Sequence, residues 1–271
     1  MKKISSSLLI GAVAWVLAFG VSAERVEHQK LAKYKLPEGA REIEQDLYSL
    51  GVSKDVDGTL VEGYAFIHRR DKDARGGGGS SKKPGGSTCY SFLASGARWK
   101  VTEQYLINTE NADGLSSDFV SSTFARGIAE WEKYAPFDIF GAGVVTSDPL
   151  SAETTSPDGL NEVFFSSIDD PGVIAVTTTW GIFGGPPQNR KLVEWDMVFN
   201  DPNFVWGDAL ASASLMDFEN IAVHEIGHAA GLGHPSDSCT QETMYRFASN
   251  GETKKRDLNT GDIQGIQKLY Q

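Results

Sequence analysis

"IAVHEIGHAAGLGHPSD", residues 221–237, holds three of the five histidines in this 271-residue chain, with Glu225 directly after the first. On an α-helix His224 and His228 stand one turn apart on one face, so their ring nitrogens can converge on a single point. Two imidazoles at that spacing suit zinc. At 3.6 residues per turn Glu225 falls about 60° around the helix from His228. That places it beside the metal, where it can hold a water and take its proton. Phe218, Ala222, Ile226 and Ala229 form an apolar stripe on the far side, which fixes the helix against a core. Gly231 is expected to end the helix, because glycine adopts the left-handed conformation without strain. The chain can then turn back and bring His234 round as a third ligand. Three protein ligands leave a fourth position open, the arrangement of a catalytic zinc.

Outward from this helix, which the pattern places over roughly Asp217 to Ala230, elements alternate. "WKVTEQYLIN" puts Val101, Tyr105 and Ile107 on one face and reads as a strand. "SSDFVSSTFARGIAEWEKYA" repeats Val120, Phe124, Ile128 and Trp131 at helical spacing behind a Ser116 or Ser117 cap. Strands are expected at "AGVVTS", "NEVFFSS", "GVIAVTTTW" and "KLVEWDMVF"; in the last, Val193, Trp195, Met197 and Phe199 alternate with polar Glu194 and Asp196. A last helix spans about Thr260 to Tyr270. The pattern predicts an α/β (α+β) domain with a mixed, mostly parallel twisted sheet of about five strands and three main helices.

Charge divides the chain. Residues 24–88 carry 12 basic and 11 acidic side chains, whereas residues 89–271 carry 11 and 25. So acidic a domain repels phosphate backbones, which excludes nucleic acid as a partner. The first 23 residues, two lysines followed by an apolar run ending in Val21-Ser22-Ala23, read as a secretory signal. An uncleaved membrane anchor is the alternative; after cleavage no stable membrane insertion is expected. Residues 76–88 lie in a Gly/Ser-rich stretch that reads as a flexible linker. The chain therefore divides into a signal (1–23), a propeptide or small N-terminal segment (24–75), the linker (76–88) and a single catalytic domain (89–271). In a secreted protein its two cysteines, Cys89 and Cys239, favour a disulfide.

"HEIGHAAGLGH" matches the metzincin signature H-E-x-x-H-x-x-G-x-x-H, and Met244 in "ETMYRF" resembles the Met-turn residue of that clan. "LGHPSD" with "TMY", "ARWKVTEQYLIN", "AEWEKYAPF", "VIAVTTTW" and the terminal "DIQGIQKLY" resemble the matrixins over nearly all of residues 89–271. "TCYSF" and "SDSCTQETMY" look closest to secreted archaeal and bacterial members. The resemblance implies a metzincin zinc-protease fold and a secreted, monomeric zinc endopeptidase acting on protein or peptide substrates. His224, His228 and His234 would be the metal ligands and Glu225 the general base acting on a zinc-activated water. A catalytically inactive zinc-binding or adhesion module on the same fold is the alternative.

Substrate backbone is expected to pair with an edge strand near Val173 to Thr177. "YRFASNGETKK" is expected to wall the pocket for the side chain after the scissile bond. Animal matrixins hold a second zinc through additional histidines, but residues 89–271 have no histidine beyond these three. Calcium is left open, with Asp169, Asp170, Asp196, Asp201 and Asp208 as oxygen donors and no ligand set assigned. The family's paired acids at the start of the last helix are reduced to Gly261 and Asp262. Residues 24–88 contain no cysteine, so any inhibition by the N-terminal segment must use another ligand or steric cover of the cleft. Arg69, Arg70 and Arg75 are expected to be exposed to proteolytic nicking.

Overall fold

The computed structural model describes residues 33–71 and 88–271. The expected signal and residues 76–87 of the expected linker lie outside the described residues. Strands β1 (Arg41–Glu44), β2 (Leu47–Lys54), β3 (Leu60–Arg70), β4 (Ser91–Phe92) and β5 (Leu106–Asn108) come first, followed by helix α1 (Ser117–Glu132). Then come β6 (Val144–Thr146), β7 (Glu162–Ser166), β8 (Val173–Ile182), β9 (Lys191–Asn200), β10 (Trp206–Gly207) and β11 (Met216–Asp217). Helix α2 (Phe218–Ala229), β12 (Leu232–Gly233), β13 (Phe247–Ala248) and helix α3 (Thr260–Tyr270) complete the chain.

Five strands in the order β6-β5-β7-β9-β8 make the expected mixed sheet, parallel except for β8 at the edge. The sheet is nevertheless larger than about five strands. The antiparallel meander β1-β2-β3 adds to the free edge of β8, and β13 pairs with the end of β3, giving nine strands. Strand β8 is ten residues long, and so long an edge presents a row of backbone groups that another strand can satisfy.

Helix α1 starts as its sequence indicates: the Ser116 hydroxyl accepts the Phe119 amide, and Val120, Phe124, Ile128 and Trp131 are buried. The strand expected over "WKVTEQYLIN" is shorter. Only its last three residues pair in the sheet; before them the chain makes a single bridge, Glu103 with Phe140, and Val101 is exposed. One core lies between the sheet and the helices and includes Phe124, Trp131, Trp195, Phe199, Phe218 and Ile226. A smaller one covers the other sheet face and includes Tyr34, Ile67, Phe164, Ile168 and Val176. The polar alternation of β9 does not face water: Glu194 and Asp196 are both fully buried.

Candidate active site

Helix α2 carries the histidines into the core. Asp217 caps it by accepting the Asn220 amide at 2.8 Å and is itself held by Arg256. Gly231 then ends the helix at φ 101°, and a side chain there would press on the Ala97 carbonyl. The reversal lets Leu232 and Gly233 pair with β4 and carries His234 over the helix face.

The Nε2 atoms of His224 and His228 lie 3.2 Å apart, and those of His228 and His234 3.1 Å. Tetrahedral zinc with Zn–N distances of ~2.0–2.1 Å would hold its nitrogens about 3.3 Å apart, so the three rings fit that ion. The outer nitrogens of two are committed: His224 Nδ1–H donates to the Thr243 carbonyl at 2.6 Å and His228 Nδ1–H to the Leu232 carbonyl at 2.9 Å. This leaves the Nε2 lone pairs of His224 and His228 aimed inward. Burial holds all three imidazoles below their ordinary pKa, His228 at about 3, so they stay neutral and ready to ligate.

Glu225 is fully buried beside them, and burial pushes its carboxyl up to about 8. Its Oε2 accepts the Thr177 hydroxyl of β8 at 2.6 Å. Met244 lies beneath the site: a β-carbon at Gly227 would stand 2.3 Å from its sulfur, so the helix approaches the turn as closely as glycine permits. Asp262, the acid retained at the start of α3, accepts the Thr243 amide at 2.7 Å and the Met244 amide at 3.1 Å. The lone acid thus holds the turn under the histidines. Cys89 and Cys239 are joined, tying the start of the domain to the segment before Met244.

Four residues at the site carried no side-chain role in the sequence reading, although Thr177 stands at the end of the expected edge strand and Lys255 at the end of the expected pocket wall. Phe66 and His68 of β3 come from the N-terminal segment: the Phe66 ring stacks on His228 at 3.9 Å, and the His68 ring lies 3.8 Å from that of His224. His68 Nδ1 donates to Glu225 Oε1 at 2.9 Å, and its Nε2 accepts from Lys255 Nζ at 3.0 Å. Lys255 is fully buried, and burial lowers its ammonium to about 7. Thr177 is the fourth. A signal for β3 existed, since Tyr64, Phe66 and His68 alternate with Ala65 and Ile67, but periodicity does not reveal a strand's partner. Here Thr177 pairs with Phe66 and Ala175 with His68, on the stretch expected to receive substrate. Arg69, expected to be exposed, is buried between Asp46 and Asp170, each 2.7 Å away.

The candidate calcium ligands separate. Asp169 pairs with Lys33, Asp170 with Arg69 and Asp208 with Arg256, while Asp201 accepts the Ala112 amide. Asp196 alone of the five lies in a carboxylate cluster, with Glu153 and Glu194. One oxygen of each of these three is buried without a hydrogen-bond partner.

A zinc-ready histidine triad on a helix, a glutamate beside it and a methionine turn beneath it, under a sheet of this order, define a metzincin. Residues 176–271 match the sequence model of the matrixin family. Similar proteins include Metalloendoproteinase 4-MMP of Arabidopsis thaliana, 42% identical over 198 residues, covering 67% of this chain and 50% of that protein. Metalloendoproteinase 1 of Glycine max is 29% identical over 185 residues, 67% of this chain and 55% of its own length. Matrilysin of Homo sapiens is 42% identical over 65 residues, 24% of this chain and 23% of that protein. The chain belongs to the matrixin family. It spans about half the length of the plant relatives it matches.

Proposed function

We propose that this chain is a secreted zinc-dependent endopeptidase, kept latent by its own N-terminal segment. The observation that carries the reading is the convergence of three neutral imidazoles with a buried carboxylate at their side. Bound zinc would polarise the scissile carbonyl and lower the pKa of a water. Glu225 would take the proton from the attacking water and return it to the leaving amine. Thr177 holds the far oxygen of that carboxylate, leaving Oε1 to face the reaction. Extended substrate backbone would add to β8, which supplies affinity without demanding one sequence.

Latency follows from β3, which takes that place on β8 and covers His224, His228 and Glu225 with Phe66 and His68. No thiolate is needed. Secretion rests on the signal-like residues 1–23; no helix of the described residues is long and apolar enough to cross a membrane. The acidic cluster is proposed to take a hard cation such as calcium, through Glu153, Glu194 and Asp196. The test is cleavage of an unstructured protein by purified chain, before and after release of the N-terminal segment, with Glu225→Ala as the blank. Zinc binding without cleavage in every form would favour the inactive-module reading.

A further inference from the structure

Strand β3 shows more than a blocked site, because its side chains report what the cleft accepts. It runs antiparallel to β8 and ends parallel to β13, so it lies between the edge strand and the opposite wall. Alternation along it sends Phe66 and His68 toward the histidine helix, while Ala65 and Ile67 join the core on the other sheet face. An extended substrate in the same place must present its side chains to the same two positions. His68 fills a buried, polar site, with Glu225 Oε1 against its Nδ1 at the near end. Its side is the His224 ring, its wall the segment from Tyr245 to β13, and its floor Lys255.

Lys255 is fixed there. Its backbone amide donates to Asn220 Oδ1 of α2 at 2.8 Å, and the next residue, Arg256, is bound to Asp208 and Asp217. Its ammonium donates to the Tyr245 carbonyl and to His68 Nε2. His224 Nδ1 lies 3.4 Å away but already donates to Thr243, so it cannot serve as an acceptor. Among the described residues no carboxylate lies within ion-pair distance of Lys255. When β3 departs, a buried donor is left short of a partner, and a site built around such a group rejects side chains that cannot satisfy it.

We infer that Lys255 is a specificity-determining residue, which makes the pocket on His224 select an acceptor side chain, glutamate above all, with glutamine and histidine behind it. The inference rests on the endopeptidase reading, and on the expectation that this pocket receives the residue after the scissile bond. An aliphatic side chain would desolvate Lys255 and give nothing back. A lysine would add like charge.

The cleavage test uses the full chain carrying Phe66→Ala, which loosens β3 without touching the pocket floor. Zinc-loaded protein is given peptides identical except at one position, occupied by Glu, Gln, His, Leu or Lys, and the cut is mapped by mass. The expected result is a kcat/KM at least tenfold higher for Glu than for Leu after the cut, lowest for Lys, with Leu overtaking Glu once Lys255→Met is added. Equal or better cleavage of the Leu peptide by the Lys255 chain overturns the inference, as does a profile that Lys255→Met leaves unchanged.

A second measurement needs no turnover. In the full chain His68→Leu should lower Tm by roughly 2–4 °C when Lys255 is present and by less than half as much with Lys255→Met, because the two side chains share one buried hydrogen bond. Independent, additive losses would show that Lys255 does not read the side chain at this position. If no peptide is cut by any form while the coupling is found, the endopeptidase reading has failed and the substrate preference falls with it, whereas cleavage without preference for Glu overturns the preference alone.

Discussion

His68 Nδ1 and Glu225 Oε1 lie 2.9 Å apart, so the carboxylate best placed to move a proton is engaged by a residue 157 positions earlier in the same chain. In the endopeptidase proposed above, a strand that both fills the cleft and ties up its base would have to be displaced before substrate could enter. Phe66→Ala removes the ring stacked on His228 and should raise the activity of the full chain roughly tenfold or more, since truncating a buried aromatic costs several kcal/mol. Initial rates on a quenched peptide decide it. A Phe66→Ala chain no more active than the unaltered one would count against inhibition by β3.

Loss of the base should separate chemistry from metal binding. Glu225→Ala is expected to lower kcat by about 10²–10⁴-fold while the purified protein keeps one zinc per chain, because the three imidazoles do not depend on that carboxylate. Metal analysis beside a cleavage assay gives both numbers. Proteolysis that survives either this substitution or thorough chelation would sink the mechanism.

The buried acids predict how stability varies with pH. Burial pushes Glu162 up to about 7, Glu194 up to about 8 and Asp196 well above the ordinary carboxylate range. Each binds its proton more tightly folded than unfolded, so the stability it contributes is complete below about pH 4 and is lost as pH rises through its raised folded pKa, toward 7–8 for Glu162 and Glu194. In chelator, Tm of the unaltered chain should therefore fall relative to Asp196→Asn between about pH 5 and 8, and added calcium should reverse the fall. Parallel melting curves for the two proteins, with no response to calcium, would argue against a cation here.

The disulfide closes a loop of 150 residues, worth about 4–5 kcal/mol if it acts by restricting the unfolded chain. Replacing Cys89 and Cys239 together by serine should lower Tm by about 10 °C or more, with the zinc site intact in the surviving folded protein. Calorimetry measures it. Reaction of two thiols with alkylating agent in unfolded, unreduced protein would show that the bond is absent from the natural molecule.

What the sequence made legible was local. The histidine spacing, the Ser116 cap, the stop at Gly231 and the last helix all depend on neighbours within a turn or two, and each is found where its pattern placed it. Residues whose roles depend on distant pairing were not legible. Arg69 read as an exposed base because nothing nearby in sequence announces Asp170, and Glu194 and Asp196 read as a wet face because the chain that covers them is an irregular loop. The stretch from Glu62 to Arg75 reads as one short strand followed by a polar basic run, and nothing in it announces that the strand lies on β8 and brings His68 to the site.

Strand β3 and the groove it fills are joined by the peptide through residues 72–87, and in the latent endopeptidase proposed above that connection would set the way activity is switched on. While it is intact, the strand faces the groove at an effective concentration in the millimolar range, and it rebinds each time it lifts. A single cut in the connection would convert an intramolecular competitor into a ligand that dilution can remove. Activation should then lag behind cleavage and go further toward completion as the protein is diluted, so that the same molecule stays silent where it is concentrated and becomes active as it spreads.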